Sequence, residues 1–193
     1  MVPEFYLLAL VPNQQVRFQL QDLRHKLYQK FGLISALALE PMMPLCILYQ
    51  IRQKDKIISL LSPPEQSPVK TPSFSLTEPV LSAEYLFLGL EDTAETTAIK
   101  KALKHISAEE TALSEKIEHP AFPLSPGLFL AHMEGQNFPA ADRFIRAELQ
   151  LPFRWKSSRI VLYSVAADFS RDSWWEGIQW NMVWQFPFKK SLS

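Results

Sequence analysis

The chain has 193 residues, 47% of them hydrophobic, with 20 Lys+Arg against 20 Asp+Glu. That length allows one domain with a substantial core over residues 1–193, and the apolar fraction argues against disorder. A formal net charge of zero gives no global attraction to nucleic acid or an anionic membrane and leaves only local patches for such contacts. The lone cysteine, Cys46, excludes an internal disulfide and a cysteine-rich metal site, and fits a reducing, cytoplasmic location. No basic segment precedes the first apolar run, Glu4 interrupts it, and no apolar stretch is long enough to span a bilayer. Neither a signal peptide nor a membrane partner is therefore expected.

Phe5 to Val11 is a near-continuous apolar run, the pattern of a buried strand. Pro12-Asn13 ends it, and Asn13 suits a helix N-cap. Val16, Leu20, Leu23, Leu27 and Phe31 then form one helical stripe, closed by Gly32. Ala36 to Leu39 reads as a second strand, and Leu45 to Ile51 as a further one after the prolines at 41 and 44. Residues 62–73, with Pro63, Pro64, Pro68 and Pro72, read as a flexible loop. Strands are expected over Phe74–Thr77 and Tyr85–Leu90, and a helix through Ile99, Ala102, Leu103 and Ile106. A strand over Gly127–Met133, a helix through Ala141, Phe144, Ile145 and Leu149, and strands over Arg159–Val165 and Ile178–Phe186 complete the chain. Such alternation predicts an α+β or α/β arrangement with helices packed outside a sheet.

One pattern recurs. Pro41-Met42-Met43-Pro44-Leu45-Cys46-Ile47-Leu48 matches Pro123-Leu124-Ser125-Pro126-Gly127-Leu128-Phe129-Leu130 in having two prolines three apart ahead of an apolar strand. Proline cannot donate to a sheet ladder, so each pair marks where its strand begins.

The element order, the two proline-led strands, and the closing segments Trp155–Tyr163 and Trp184–Phe188 together resemble the 2H phosphoesterases, the 2′-5′ RNA ligase and cyclic phosphodiesterase family, over nearly the whole chain. The resemblance implies an α+β, two-lobed fold with antiparallel-rich sheets around a central groove and helices outside. In that family each proline-led strand carries a His-x-Thr/Ser motif. Aligning on Pro44 puts Leu45 and Ile47 at the first pair; aligning on Pro126 puts Gly127 and Phe129 at the second. All four positions are substituted. Residues two apart on a strand share a face, so each pair is expected to point into the groove together.

Opening a cyclic phosphodiester needs a base for the incoming water and an acid for the leaving oxygen, roles that histidine fills near neutral pH. Each such group is worth about 10²–10⁴-fold, and hydroxyl donors stabilise the phosphoryl oxygens. Leu, Ile, Gly and Phe supply neither. The sequence therefore predicts a pseudoenzyme: a non-catalytic domain binding a nucleotide or RNA, another small ligand, or a protein segment in the groove, through Leu45, Ile47, Gly127, Phe129, Arg154 and Lys156. The inherited partner is RNA or nucleotide; the apolar positions suit an apolar ligand or a protein. The alternatives are an active cyclic phosphodiesterase or RNA ligase-like enzyme with relocated residues, and a structural or regulatory protein with a filled groove.

Among replacements, His132 lies five positions after Gly127, where the family often carries a polar residue, although an odd offset puts it on the opposite strand face. His105-Ile106-Ser107 fits His-x-Ser but sits at a helix end, His25 lies on a polar helix face, and His119 precedes Pro120 in a loop. Arg143, Arg146, Arg154, Lys156 and Arg159 flank Trp155, a composition that binds single strands when it forms one surface and a solvated helix face otherwise. Trp174, Trp175, Trp180 and Trp184 suit core packing or, if exposed, a partner surface. No glycine-rich phosphate loop, metal-ligand spacing or nucleophile elbow occurs, and no cofactor or metal is implied.

Overall fold

The computed structural model describes residues 4–38, 40–48, 73–82, 84–91, 97, 127–167 and 173–187. The expected 62–73 loop (apart from Ser73), the helix through Ile99 to Ile106, His105, His119 and the prolines at 123 and 126 lie outside these residues. Seven strands make one antiparallel sheet: β1 (Glu4–Pro12), β2 (Met43–Leu48), β3 (Ser73–Ser82), β4 (Tyr85–Leu90), β5 (Gly127–His132), β6 (Phe153–Ala166) and β7 (Gln179–Pro187). The order is β2-β1-β6-β3-β4-β5, with β7 also paired to β6. Fourteen-residue β6 joins the halves: its start pairs with β3, and its later part lies between β1 and β7.

Helix α1 (Gln14–Phe31) starts and stops where its sequence dictates. The Asn13 side chain accepts from Val16 N at 3.0 Å, and Gly32, at φ 71°, donates its N–H to Tyr28 O. A left-handed residue ends the helix at no steric cost only if it lacks Cβ. The stripe Val16, Leu20, Leu23 and Leu27 is buried against Leu8, Leu10, Leu86, Leu88, Leu128, Leu130 and Leu162 from the sheet. Helix α3 (Phe138–Glu148) adds Ala141 and Ile145 to the same core, and Phe144 meets Phe31 edge-on at 5.8 Å.

The strand expected over Ala36 to Leu39 is not found at Ala36–Ala38, and Leu39 lies outside the described residues. Ser35–Ala38 forms a one-turn helix, α2, with Ser35 and Ala36 buried. A four-residue apolar run carries no period that separates strand from helix, and the turn at Gly32 feeds this one directly into a second helical turn.

The opposite face of the sheet carries its own apolar layer: Phe5, Leu7, Ala9, Val11, Met42, Phe87, Phe129, Val161, Tyr163 and Val165, each at most 5% exposed. Residues from both ends of the strand order join in this layer, and the terminal strands β2 and β5 lie against one another. The sheet is therefore strongly curved, and with α1 and α3 packed outside on the other face, this layer is taken as its concave side.

Candidate functional site

The motif-bearing strands β2 and β5 meet at the open side of the curved sheet, where the sequence places the groove. Two β-bulges decide which side chains face it. In β2 the register passes from Leu8 opposite Cys46 to Ala9 opposite Pro44, so Leu45 is the extra residue. Pro44 has no N–H for the ladder, which explains a bulge at this point. As a result Leu45 packs with the helix-side core, whereas Ile47 packs with the concave layer. The expected shared face of Leu45 and Ile47 does not exist.

At the second motif, Gly127 pairs with Gly89 and Phe129 with Phe87. A Cβ on Gly127 would lie 2.3 Å from the Leu88 carbonyl oxygen, and one on Gly89 2.5 Å from Thr77 Oγ1. The glycine is required by the close approach of β4 to β5, so no side chain of any kind stands at this position. Phe129 is buried, edge-on to Phe87 at 5.8 Å and tilted against Tyr85 at 5.9 Å. These are packing contacts of a core residue.

A second bulge lies at Leu130, between Ala131 opposite Leu86 and Phe129 opposite Phe87. It restores the parity that an odd offset would reverse. His132 therefore lies on the side of Tyr85 and Phe129, not on the opposite face. Its ring lies on Trp175 at 4.6 Å and edge-on to Tyr85 at 5.3 Å, and Nε2 is 3.4 Å from Glu84 Oε2. His132 is 26% exposed and Glu84 67%, so the pair is open to water and screened.

Glu84 adopts φ 64° in the turn between β3 and β4, and its carbonyl accepts from Met133 N at 2.8 Å. A left-handed non-glycine residue costs about 1–2 kcal/mol. Glu84→Gly is expected to raise stability by ~0.5–1 kcal/mol in urea unfolding. A loss instead would show that the His132 contact outweighs the backbone term.

Sequence reading missed the groups that hold β5 in place. Arg24, fully buried on α1, donates from Nη2 to the Phe129 carbonyl. Ser35 Oγ accepts from His132 N at 2.8 Å and donates to His132 O at 3.3 Å. Among the described residues, the outer edge of β5 is thereby met by two side chains rather than by another strand. Burial pulls the Arg24 guanidinium down to about 9, with Glu40 acting in the opposite sense. The signal for Arg24 was present: it stands four residues after Leu20 and three before Leu27, on the buried stripe.

Arg154 and Lys156 are exposed, across β6 from Ser75 and Ser73. The basic segment is not one surface. Arg146 is engaged by Asp142 and Glu78, Arg143 donates to Pro139 O within its helix, and Trp155 is buried against Phe74. Trp175 and Trp180 pack with the concave layer and Trp184 with the helix-side core. Among the described residues no group of His, Cys, Asp and Glu has the arrangement to hold a metal, and no helix is long and apolar enough to cross a membrane.

No protein-family model and no curated protein sequence matches the chain. Solved structures do. Escherichia coli LigT complexed with 3′-AMP superposes with a TM-score of 0.61 at 14% identity, covering 97% of this chain and 99% of that one. LigT complexed with NADP+ gives 0.54 at 13%, covering 98% and 100%. The TT0787 protein of Thermus thermophilus gives 0.60 at 12%, covering 95% and 97%. With the seven-stranded antiparallel sheet and its outer helices, these superpositions establish that the chain has the α+β fold of LigT and the 2H phosphoesterases.

Proposed function

We propose that this chain is a non-catalytic 2H phosphoesterase-like domain that binds its ligand on the concave side, beside rather than at the motif positions. The observation that carries the reading is the 2.3 Å approach of a Gly127 Cβ to the Leu88 carbonyl. A backbone built around a missing side chain cannot present a general acid or base there. Leu45 and Ile47 add no proton-transferring group, and Phe129 is buried packing. The LigT structures with 3′-AMP, NADP+ and ATP make a nucleotide the first ligand to test. The deciding assay is hydrolysis of 2′,3′-cyclic nucleotides alongside calorimetric binding of 3′-AMP. Binding without turnover is expected, and robust turnover by the wild-type chain would reject the reading.

One observation favours a second reading. The Leu130 bulge sets His132 beside Glu84 at 3.4 Å, a histidine–carboxylate pair of the kind used in acid–base catalysis. A single histidine supplies one of the two proton transfers, so this enzyme would be slow. Turnover abolished by His132→Ala would establish it; turnover indifferent to that substitution would remove it.

A further inference from the structure

A second polar group lies on the concave face, two strands from Ile47. Ile47 pairs with Leu7 and Leu7 with Tyr163, a lateral distance of about 10 Å at the usual strand spacing. The Tyr163 hydroxyl is 3.2 Å from Glu40 Oε2, and Arg17 Nη2 is 3.7 Å from the same oxygen. Arg159 stands four residues before Tyr163 on β6, and its charge, like that of Arg17, acts on the phenol. The buried Arg24 acts on Glu40 from the helix side. Two guanidinium groups, Arg17 and Arg24, thus act on one carboxylate, and a third, Arg159, acts on the phenol hydrogen-bonded to it.

The donors are not all used. Arg159 Nη1 donates to Gln185 Oε1 at 2.9 Å, but the buried Nε of Arg159 and the buried Nε of Arg17 have no hydrogen-bond partner among the described residues. Buried donors in native proteins are nearly always paired, so these two guanidinium donors, whose charges both act on the Tyr163 phenol, call for acceptor oxygens beyond those of Glu40 and Gln185. Burial and the Glu40 charge push the Tyr163 phenol well above the ordinary tyrosine range, so it remains a donor at neutral pH. Glu40 is 46% exposed and Arg17 29%, which opens the group to solvent.

We propose that Arg17, Arg159 and Tyr163 form a phosphoryl-binding site, and that the Glu40 carboxylate rests on it as an internal competitor for the incoming phosphoryl group. A dianion matches the surplus of cations better than one carboxylate does, and its oxygens can take the guanidinium donors in forked geometry. The site rests on the binding reading above and gives it an anchor: a phosphorylated ligand would be held from the Tyr163 side, away from the closed motif positions.

The test is calorimetric titration of the full chain with inorganic phosphate, with circular dichroism to confirm folding of each variant. Glu40→Gln, which keeps the shape and removes the competing charge, is expected to bind at least tenfold more tightly than wild type. Arg159→Gln and Arg17→Gln are expected to bind at least tenfold more weakly, and Arg143→Gln, on the outer face of α3, like wild type. Should an arginine variant fail to fold, Tyr163→Phe in the Glu40→Gln background removes one donor and is expected to reverse much of the gain. Phosphate binding unchanged or weakened by Glu40→Gln, or undetectable in both proteins, overturns the site. Hydrolysis of a cyclic nucleotide would instead overturn the non-catalytic reading and leave this site standing, so the two failures are distinct.

Discussion

Gly127→His is expected to destabilise the protein and to restore no activity. The histidine returns the side chain that the 2H pattern calls for, yet its Cβ alone would fall 2.3 Å from the Leu88 carbonyl oxygen. The obstructing atom is backbone at the Gly89–Gly127 end of the β4–β5 ladder, so it cannot swing aside as a side chain end would. β5 must separate from β4, or the peptide must tilt and lose its pairing with Gly89. Overpacking in a core costs about 1–3 kcal/mol and occasionally more; here ~2–4 kcal/mol is expected, because ladder hydrogen bonds are strained as well. In a chain of this size that lowers the melting temperature by about 5–15 °C. Gly127→Ala should show most of the same loss, since the clash begins at Cβ. Installing Leu45→His, Ile47→Thr and Phe129→Thr with it should still give no cyclic phosphodiesterase activity, because the bulge at Leu45 directs that side chain to the helix-side core. A well-folded Gly127→His protein with measurable turnover would contradict both the steric account and the proposed function.

Much of the fold was legible because its signals are local. The stripe from Val16 to Leu27 fixes α1, Asn13 and Gly32 mark its ends, and the apolar runs of β1, β4 and β5 mark buried strands. The site was legible only in part, because its deciding features are relations between distant segments. Register is set by pairing, so the extra residues Leu45 and Leu130 leave no trace in the alternation, and each reverses which face later side chains occupy. The need for glycine at 127 comes from a backbone contact with Leu88. Tyr163 meets Glu40 across 123 residues of chain. Arg24 is the exception, a residue whose position on the apolar stripe announced its burial.

That buried arginine gives the largest stability effect expected in the molecule. Arg24 is 2% exposed, donates to the Phe129 carbonyl on β5, and acts on Glu40. Arg24→Ala removes a long stem from a packed interior and takes away the donor that Arg24 gives the Phe129 carbonyl; it also leaves the Glu40 group one cation short. Cavity formation and loss of one member of a buried charge set each reach several kcal/mol, and ~3–5 kcal/mol is expected together by urea unfolding. Arg24→Met keeps most of the stem and should cost about 1–3 kcal/mol, the share that belongs to the hydrogen bond and charge. The pH dependence separates these roles further. Burial holds the guanidinium down at about 9 in the folded chain, far below its ordinary range. Above that pH the unfolded chain keeps a proton that the folded chain releases, so this group makes stability rise with pH. From pH 9 to 10 wild type should therefore gain stability relative to Arg24→Met, since the titration of tyrosines and lysines is common to both proteins and cancels in the difference. Parallel pH curves would show that Arg24 is held with its charge fully compensated, and that β5 is fastened by an ion pair rather than by a desolvated cation on a carbonyl.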